Sequence, residues 1–155
     1  MNITVIHVGD LKEKYYRDAV EEYEKRISRF CRIKSVEIKE ERLPDDPSEK
    51  QIGSALAEEG KRILQAIPGR SFVTALCVEG KELSSPELSR IICGAERDLA
   101  FIIGSSFGLS PEVKAAADLR LSVSPMTFPH RLMRVILAEQ IYRAFSIAAG
   151  SAYHK

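Results

Sequence analysis

The chain has 155 residues, room for one domain of ordinary size built on one hydrophobic core. Apolar residues make up 45%, charged residues 29% and aromatic residues 7% with no Trp, a balance that excludes a disordered or fibrous chain. Lys and Arg number 23 against 22 Asp and Glu, so a polyanionic partner has to be met by a local basic surface and not by a global field.

Local charge is less even. Residues 1–40 carry nine cationic and eight anionic side chains, residues 41–117 nine and twelve, and residues 118–155 five and two. Positive charge therefore gathers in the last segment, where Arg131, Arg134, Arg143 and Lys155 fall on or just beyond one expected helix. Three cysteines, Cys31, Cys77 and Cys93, lack C-x-x-C spacing, which argues against a disulfide framework or a zinc knuckle and for a reducing compartment. No apolar run reaches the ~20 residues needed to span a bilayer, and the first residues lack a signal-type pattern. A cytoplasmic protein with neither membrane nor metal partner is the expectation.

Ile3 to Val8 is a β-branched run closed by Gly9-Asp10, and Asp10 with Glu13 has capping-box spacing. Leu11, Tyr15, Ala19, Tyr23, Ile27 and Phe30 then recur at helical intervals along one predicted stripe. Ile33 to Ile38 alternates apolar and polar residues as a strand with one wet face does. Pro44 and Pro47 mark the one long loop, over residues 40–50, before Ser48 caps a helix that Pro68-Gly69 ends. Phe72 to Val78 is an almost unbroken apolar run, the mark of a strand covered on both faces. Ser85-Pro86 opens a third helix, and Leu99 to Ile103 is a second buried strand. After the turn Gly104 to Gly108, Ser110-Pro111 starts a short helix, Leu119 to Val123 returns as strand, and Pro129 opens a final helix that stops at Gly150. That last helix is apolar on more than one side. Strands and helices alternate five times, which predicts an α/β domain with a largely parallel sheet of five to six strands flanked by helices.

Ligands of such sheets bind beyond the carboxyl ends of the strands. Three loops there have unusual chemistry: Leu76 to Gly80, Gly104 to Gly108, and Ser124 to His130. The second can be read as a plain turn, as a nucleophile elbow, or as a place where a missing Cβ admits a ligand to the main chain. The elbow reading has support, because Gly104-Ser105-Ser106-Phe107-Gly108 matches G-x-S-x-G and Ser106, Asp118 and His130 stand in hydrolase order. Against it, Ser110-Pro111 puts the helix start four residues too late, and no H-G-G-G stretch supplies an oxyanion hole. The ligand reading finds neither G-x-G-x-x-G nor a P-loop, so the ligand would lean on peptide groups and apolar walls.

The blocks F-I-I-G-S-S-F-G-L-S and L-S-V-S-P-M-T-F-P-H-R-L-M-R-V-I-L-A-E-Q-I-Y-R-A-F, and the terminal Ala152-Tyr153-His154-Lys155, resemble the RlmH family of SPOUT methyltransferases. Ile6-His7-Val8-Gly9 and Lys12 to Tyr16 extend the resemblance over the whole chain. It implies a single domain over residues 1–155 with a trefoil knot from roughly residue 100 onward, a homodimer, and S-adenosylmethionine held in the knot loops. The implied reaction is methylation of N3 of a pseudouridine in 23S ribosomal RNA, with ribosomal RNA or the assembled ribosome as partner. A non-catalytic RNA-binding or ribosome-assembly module and a serine hydrolase built on Ser106 are the alternatives.

Carried over by position, the family's cofactor contacts fall on Leu76, Gly104, Val123, Ser124, Pro125, Met126, Thr127 and Phe128. Relatives commonly have Gly-Gly where this chain has Gly104-Ser105, and the Ser105 side chain is expected to point away from the methionine moiety. The resemblance also implies catalytic roles near the C-terminus. His154 is the first candidate to take the N3 proton, with Tyr153 as a stacking surface. Arg134 and Arg143, nine positions apart, project from opposite sides of the last helix and do different jobs, one of them at the active site.

Overall fold

The computed structural model describes residues 1–155, and its elements alternate throughout. Strand β1 (Asn2–Val8) leads to helix α1 (Lys14–Ile27), and β2 (Arg32–Ile38) to α2 (Glu49–Ala66). Next come β3 (Phe72–Glu82), α3 (Ser85–Cys93), β4 (Leu99–Ile103), α4 (Pro111–Ala116), β5 (Leu119–Ser122) and α5 (His130–Ala148). A single 3-10 turn, Ala152–His154, ends the chain. All neighbouring strands pair parallel, in the order β2-β1-β4-β3-β5.

The sheet divides two apolar clusters. In β4, every residue of which is buried, Leu99, Phe101 and Ile103 enter the cluster that also holds Ile27, Ile92 and Ile141. Ala100 and Ile102 enter the other, with Ile63 and Val113. Strand alternation thus places α1, α3 and α5 on one face and α2 and α4 on the opposite face, which is why the sequence of β4 is an unbroken apolar run.

Four boundaries differ from the sequence reading. Helix α1 begins at Lys14, not after Asp10, and Glu13 makes no side-chain cap. The Arg17 guanidinium explains the delay, since Nη1 donates to both the Leu11 and Lys12 carbonyls at 2.9 Å and satisfies them outside the helix. Of the predicted stripe Leu11 and Ile27 are buried, but Tyr15 is 66% exposed and Phe30 45%, and Val20 is buried in their stead. Helix α3 opens at Ser85-Pro86 as read, behind a complete capping box of Ser84 and Glu87, whereas β5 stops at Ser122, one residue short of Val123. Finally, α5 starts at His130 with Pro129 at its N-cap.

The fourth difference builds the site. Strand β3 continues to Glu82, yet both Leu76 and Lys81 pair with Leu121, so residues 77–80 loop out of the ladder. Gly80 makes the return possible: a Cβ there would stand 2.7 Å from the Arg120 and Leu121 carbonyl carbons. No helix is long and apolar enough to cross a membrane.

Candidate active site

A cavity of about 670 Å³ opens at the carboxyl ends of β3, β4 and β5, and half of its lining residues are apolar. Its size lies within the range of small-molecule sites. One wall is the looped-out segment of β3, Leu76 to Glu79. A second is Ile103 to Leu109 after β4, and the third runs from Leu121 through the segment leading into α5, with Lys114 and Met133 completing the enclosure. Seven of the eight positions expected to hold the cofactor line it: Leu76, Gly104, Val123, Ser124, Met126, Thr127 and Phe128. Pro125 is not in the lining. Lys114 is a lining residue that carried no motif and could be assigned only from the fold.

Glycine shapes the second wall. A Cβ on Gly104 would lie 2.3 Å from the Gly108 carbonyl oxygen, so the loop closes on itself only because that position is bare. Gly108 has φ +90° and nothing within 4 Å of where its Cβ would stand, which leaves open space beside the main chain. The loop is a turn in which Gly108 N–H donates to the Ser105 carbonyl at 2.9 Å. Ser105 is buried, with its hydroxyl beside the Glu59 carboxyl of α2, and Glu59 does not line the cavity. Glu59, 2% exposed, also accepts from the Glu41 N–H at 3.0 Å. Burial pushes its carboxyl above the usual range; the Glu41 N–H and the Ser105 hydroxyl oppose the rise.

The hydrolase arrangement is absent. Asp118 accepts from the Val73 N–H at 2.8 Å and faces Arg97 at 3.8 Å, at the amino ends of β3 and β5 and away from the cavity. It orients no histidine. Ser106 lies in the turn, and α4 begins only at Pro111.

The four residues expected to be catalytic are not brought together, and none lines the cavity. Arg143, Tyr153 and His154 form one cluster. Glu139 Oε1 accepts from Arg143 Nη2 at 2.6 Å and from the Tyr153 hydroxyl at 3.1 Å, and the guanidinium lies 4.7 Å from the centre of the Tyr153 ring. Burial, then the Tyr23 hydroxyl and the Glu139 carboxylate, keep the Tyr153 phenol protonated. His154 Nδ1 lies 3.4 Å from Arg143 Nη1; a guanidinium only donates, so Nδ1 accepts and Nε2 carries the hydrogen.

Arg134 is on the other side of α5, as the nine-residue spacing predicts, in a separate hollow with His7, Ser35, Glu24 and Glu37. Its Nε is buried without a partner, and its contact with Ser35 Oγ is 3.5 Å long. Burial lowers its pKa; Glu24 and Glu37 act in the opposite sense.

A family model described as "Predicted SPOUT methyltransferase" matches residues 1–154. The chain belongs to the SPOUT methyltransferase family. Among its SPOUT relatives, the ribosomal RNA large subunit methyltransferase H of Clostridium novyi is 49% identical and that of Leuconostoc mesenteroides 47%, each over the full length of both chains. The protein of that name from Limosilactobacillus reuteri is 45% identical, again over both full lengths. Among solved structures, a probable methylase family protein from Haemophilus influenzae matches 99% of this SPOUT chain and 70% of its own length, with a TM-score of 0.54 and 14% identity, a likeness of fold.

Proposed function

We propose that this SPOUT methyltransferase transfers a methyl group from S-adenosylmethionine to N3 of a pseudouridine in 23S ribosomal RNA. The observation that carries the reading is the convergence of seven of the eight expected cofactor positions on one cavity. The names of relatives 45–49% identical over their full length support ribosomal RNA as substrate and, with it, the cytoplasm as the place of action. The cavity suits a cofactor recognised by peptide groups and apolar walls. Leu76, Gly104 and the stretch Val123 to Phe128 hold it, with Pro125 shaping the loop from outside. The cofactor supplies an electrophilic methyl on a sulfonium; the protein's task is to align the acceptor with that methyl and exclude water. The segment from roughly residue 100 onward forms the trefoil knot that joins these loops.

A second copy of the chain completes the site. Helix α5 leaves Leu132, Met133, Val135 and Ile136 only half-buried, apolar side chains on several sides that suit a homodimer interface. The cluster of Arg143, Tyr153 and His154 then serves the cavity of the partner. There the Arg143 guanidinium stabilises the imide anion, Tyr153 offers a face for stacking, and His154 Nε2–H donates to a base carbonyl. Arg134 holds α5 against β2 near the same interface.

Titration calorimetry with S-adenosylmethionine, followed by methyl transfer to ribosomes from a strain lacking the modification and mass mapping of the product, tests the reading. Donor binding and a methyl on pseudouridine N3 are expected. Donor binding without transfer to any ribosomal RNA overturns it, as does RNA binding without donor binding.

A further inference from the structure

Methylation of a protonated imide nitrogen needs a group to take its proton, and the lining of the donor cavity offers few. Its titratable residues are Cys77, Glu79, Lys114 and His130. The Glu79 carboxylate is paired with the Lys114 ammonium, which holds it below the usual carboxylate range and makes it a poor base. Burial pushes the Cys77 thiol up and keeps its proton on. His130 remains.

The ring of His130 is set in an unusual place. It is the first residue of α5, and its Nε2 is buried with no hydrogen-bond partner. Across from it stands Glu40, just after β2. A methyl on Gly9 would lie 3.1 Å from Glu40 Oε2 and 3.7 Å from His130 Nε2, so the carboxylate and the ring nitrogen share the space over a bare Cα. Gly9 has φ +80°, a conformation glycine adopts freely. Burial holds the imidazole below its ordinary range, Arg131 on α5 adds to the lowering, and Glu40 and Glu13 oppose it. His7 of β1 lies within electrostatic reach of the same ring. A neutral imidazole beside a carboxylate is best satisfied with its hydrogen on the facing nitrogen, which leaves the lone pair on Nδ1.

We propose that His130 accepts the N3 proton through Nδ1, and that Glu40, whose carboxylate lies on the Nε2 side of the ring, is the positioning residue that favours the hydrogen on Nε2 through its charge. The proposal rests on the methyltransferase reading above and moves proton acceptance from His154, whose Nδ1 is occupied by Arg143, to a residue of the donor cavity itself. The N3–H bond breaks as its proton passes to Nδ1. The freed pair on N3 forms the N–CH3 bond, and the broken S–CH3 bond leaves its pair on sulfur. The positive charge lost by the sulfonium reappears on the imidazolium, facing Glu40, until the proton leaves to solvent.

Single-turnover transfer to unmodified ribosomes is measured across pH for the wild type, H130Q, E40Q and H154A, with donor affinity measured by calorimetry on each. The wild-type rate is expected to fall on an acid limb below 6.5, the ordinary histidine value, because His130 has to be neutral. H130Q is expected to lose roughly 100-fold in rate with donor affinity within about threefold. E40Q is expected to move the acid limb to lower pH, since Glu40 raises the His130 pKa, and H154A to lower the rate without moving the limb. A wild type that transfers while H130Q keeps its rate, an unmoved limb in E40Q, or a limb that vanishes in H154A overturns the assignment. Should H130Q fail to fold, the E40Q limb decides alone. A wild type that transfers no methyl to RNA refutes the methyltransferase reading instead.

Discussion

Glu139 and Tyr153, 14 positions apart, are joined by a 3.1 Å hydrogen bond from the phenol to Oε1, the same oxygen that receives the Arg143 guanidinium. One carboxylate thus ties the end of the chain to α5. Without it the 3-10 turn would keep the Ser151 N–H bond to the Ser146 carbonyl at 3.0 Å, the Tyr23 hydroxyl beside Tyr153, the edge-on contact of Tyr153 with Tyr142 at 4.8 Å between ring centres, and the stacking and longer contacts of Arg143.

Replacing Glu139 by Ala is therefore expected to release residues 151–155 while leaving donor affinity unchanged, because no member of the cluster lines the cavity of its own chain and the role proposed for it across the dimer is toward the acceptor base. A hydrogen bond to a charged group contributes about 1.5–3 kcal/mol, enough to raise amide exchange in this segment by roughly tenfold or more. Exchange mass spectrometry and calorimetry read the two effects separately. Equal exchange in E139A and wild type would show that the remaining contacts hold the tail without this carboxylate.

The Gly104→Ala variant tests the second wall. Its methyl would meet the Gly108 carbonyl oxygen at 2.3 Å and Leu109 Cδ2 at 3.0 Å, and main-chain atoms cannot yield as a flexible side chain can. The loop has to open, so donor affinity is expected to fall at least about tenfold, with a loss of about 1–3 kcal/mol in stability from overpacking. Gly53→Ala, whose methyl meets nothing within 4 Å on α2, is the control and is expected to bind the donor like the wild type. Unchanged donor binding in G104A would place the donor elsewhere.

Much of this architecture was legible because it follows from periodicity. The all-buried β4 and the alternating β2 read correctly, as did the Ser48 and Ser110 caps, since each depends on local contacts only. The delayed start of α1 did not read, because the side chain of Arg17 satisfies carbonyls that a capping pattern assigns to the helix. The bulge of β3 was hidden for a related reason: Gly80 matters through its approach to Arg120 and Leu121, residues distant in sequence. The cavity loops were legible as odd chemistry at strand ends. The approach of His130 and Glu40 to Gly9 was not, since it joins three segments that only the fold brings together.

His7 gives the fold a dependence on acid. It is 3% exposed, and its Nδ1 lies 2.8 Å from the Gly9 carbonyl oxygen, so that nitrogen carries the hydrogen. Burial, then the positive charge of Arg134, lower its pKa from 6.5 to about 4, with the Gly9 carbonyl opposing and the nearby His130 ring adding to the lowering when it takes a proton. In the unfolded chain the ring binds a proton near its ordinary value, so between these limits the unfolded state holds more protons than the folded one. Stability from this group is complete above 6.5 and is lost as pH falls through about 4. At ~1.4 kcal/mol per pH unit the loss amounts to about 3 kcal/mol. His7→Gln retains a donor for Gly9 and cannot titrate. Denaturant unfolding at about pH 7, 5 and 4 is expected to show the wild type losing stability relative to H7Q across this window. Parallel losses in the two proteins would mean that the acid sensitivity arises from carboxylates and not from this ring.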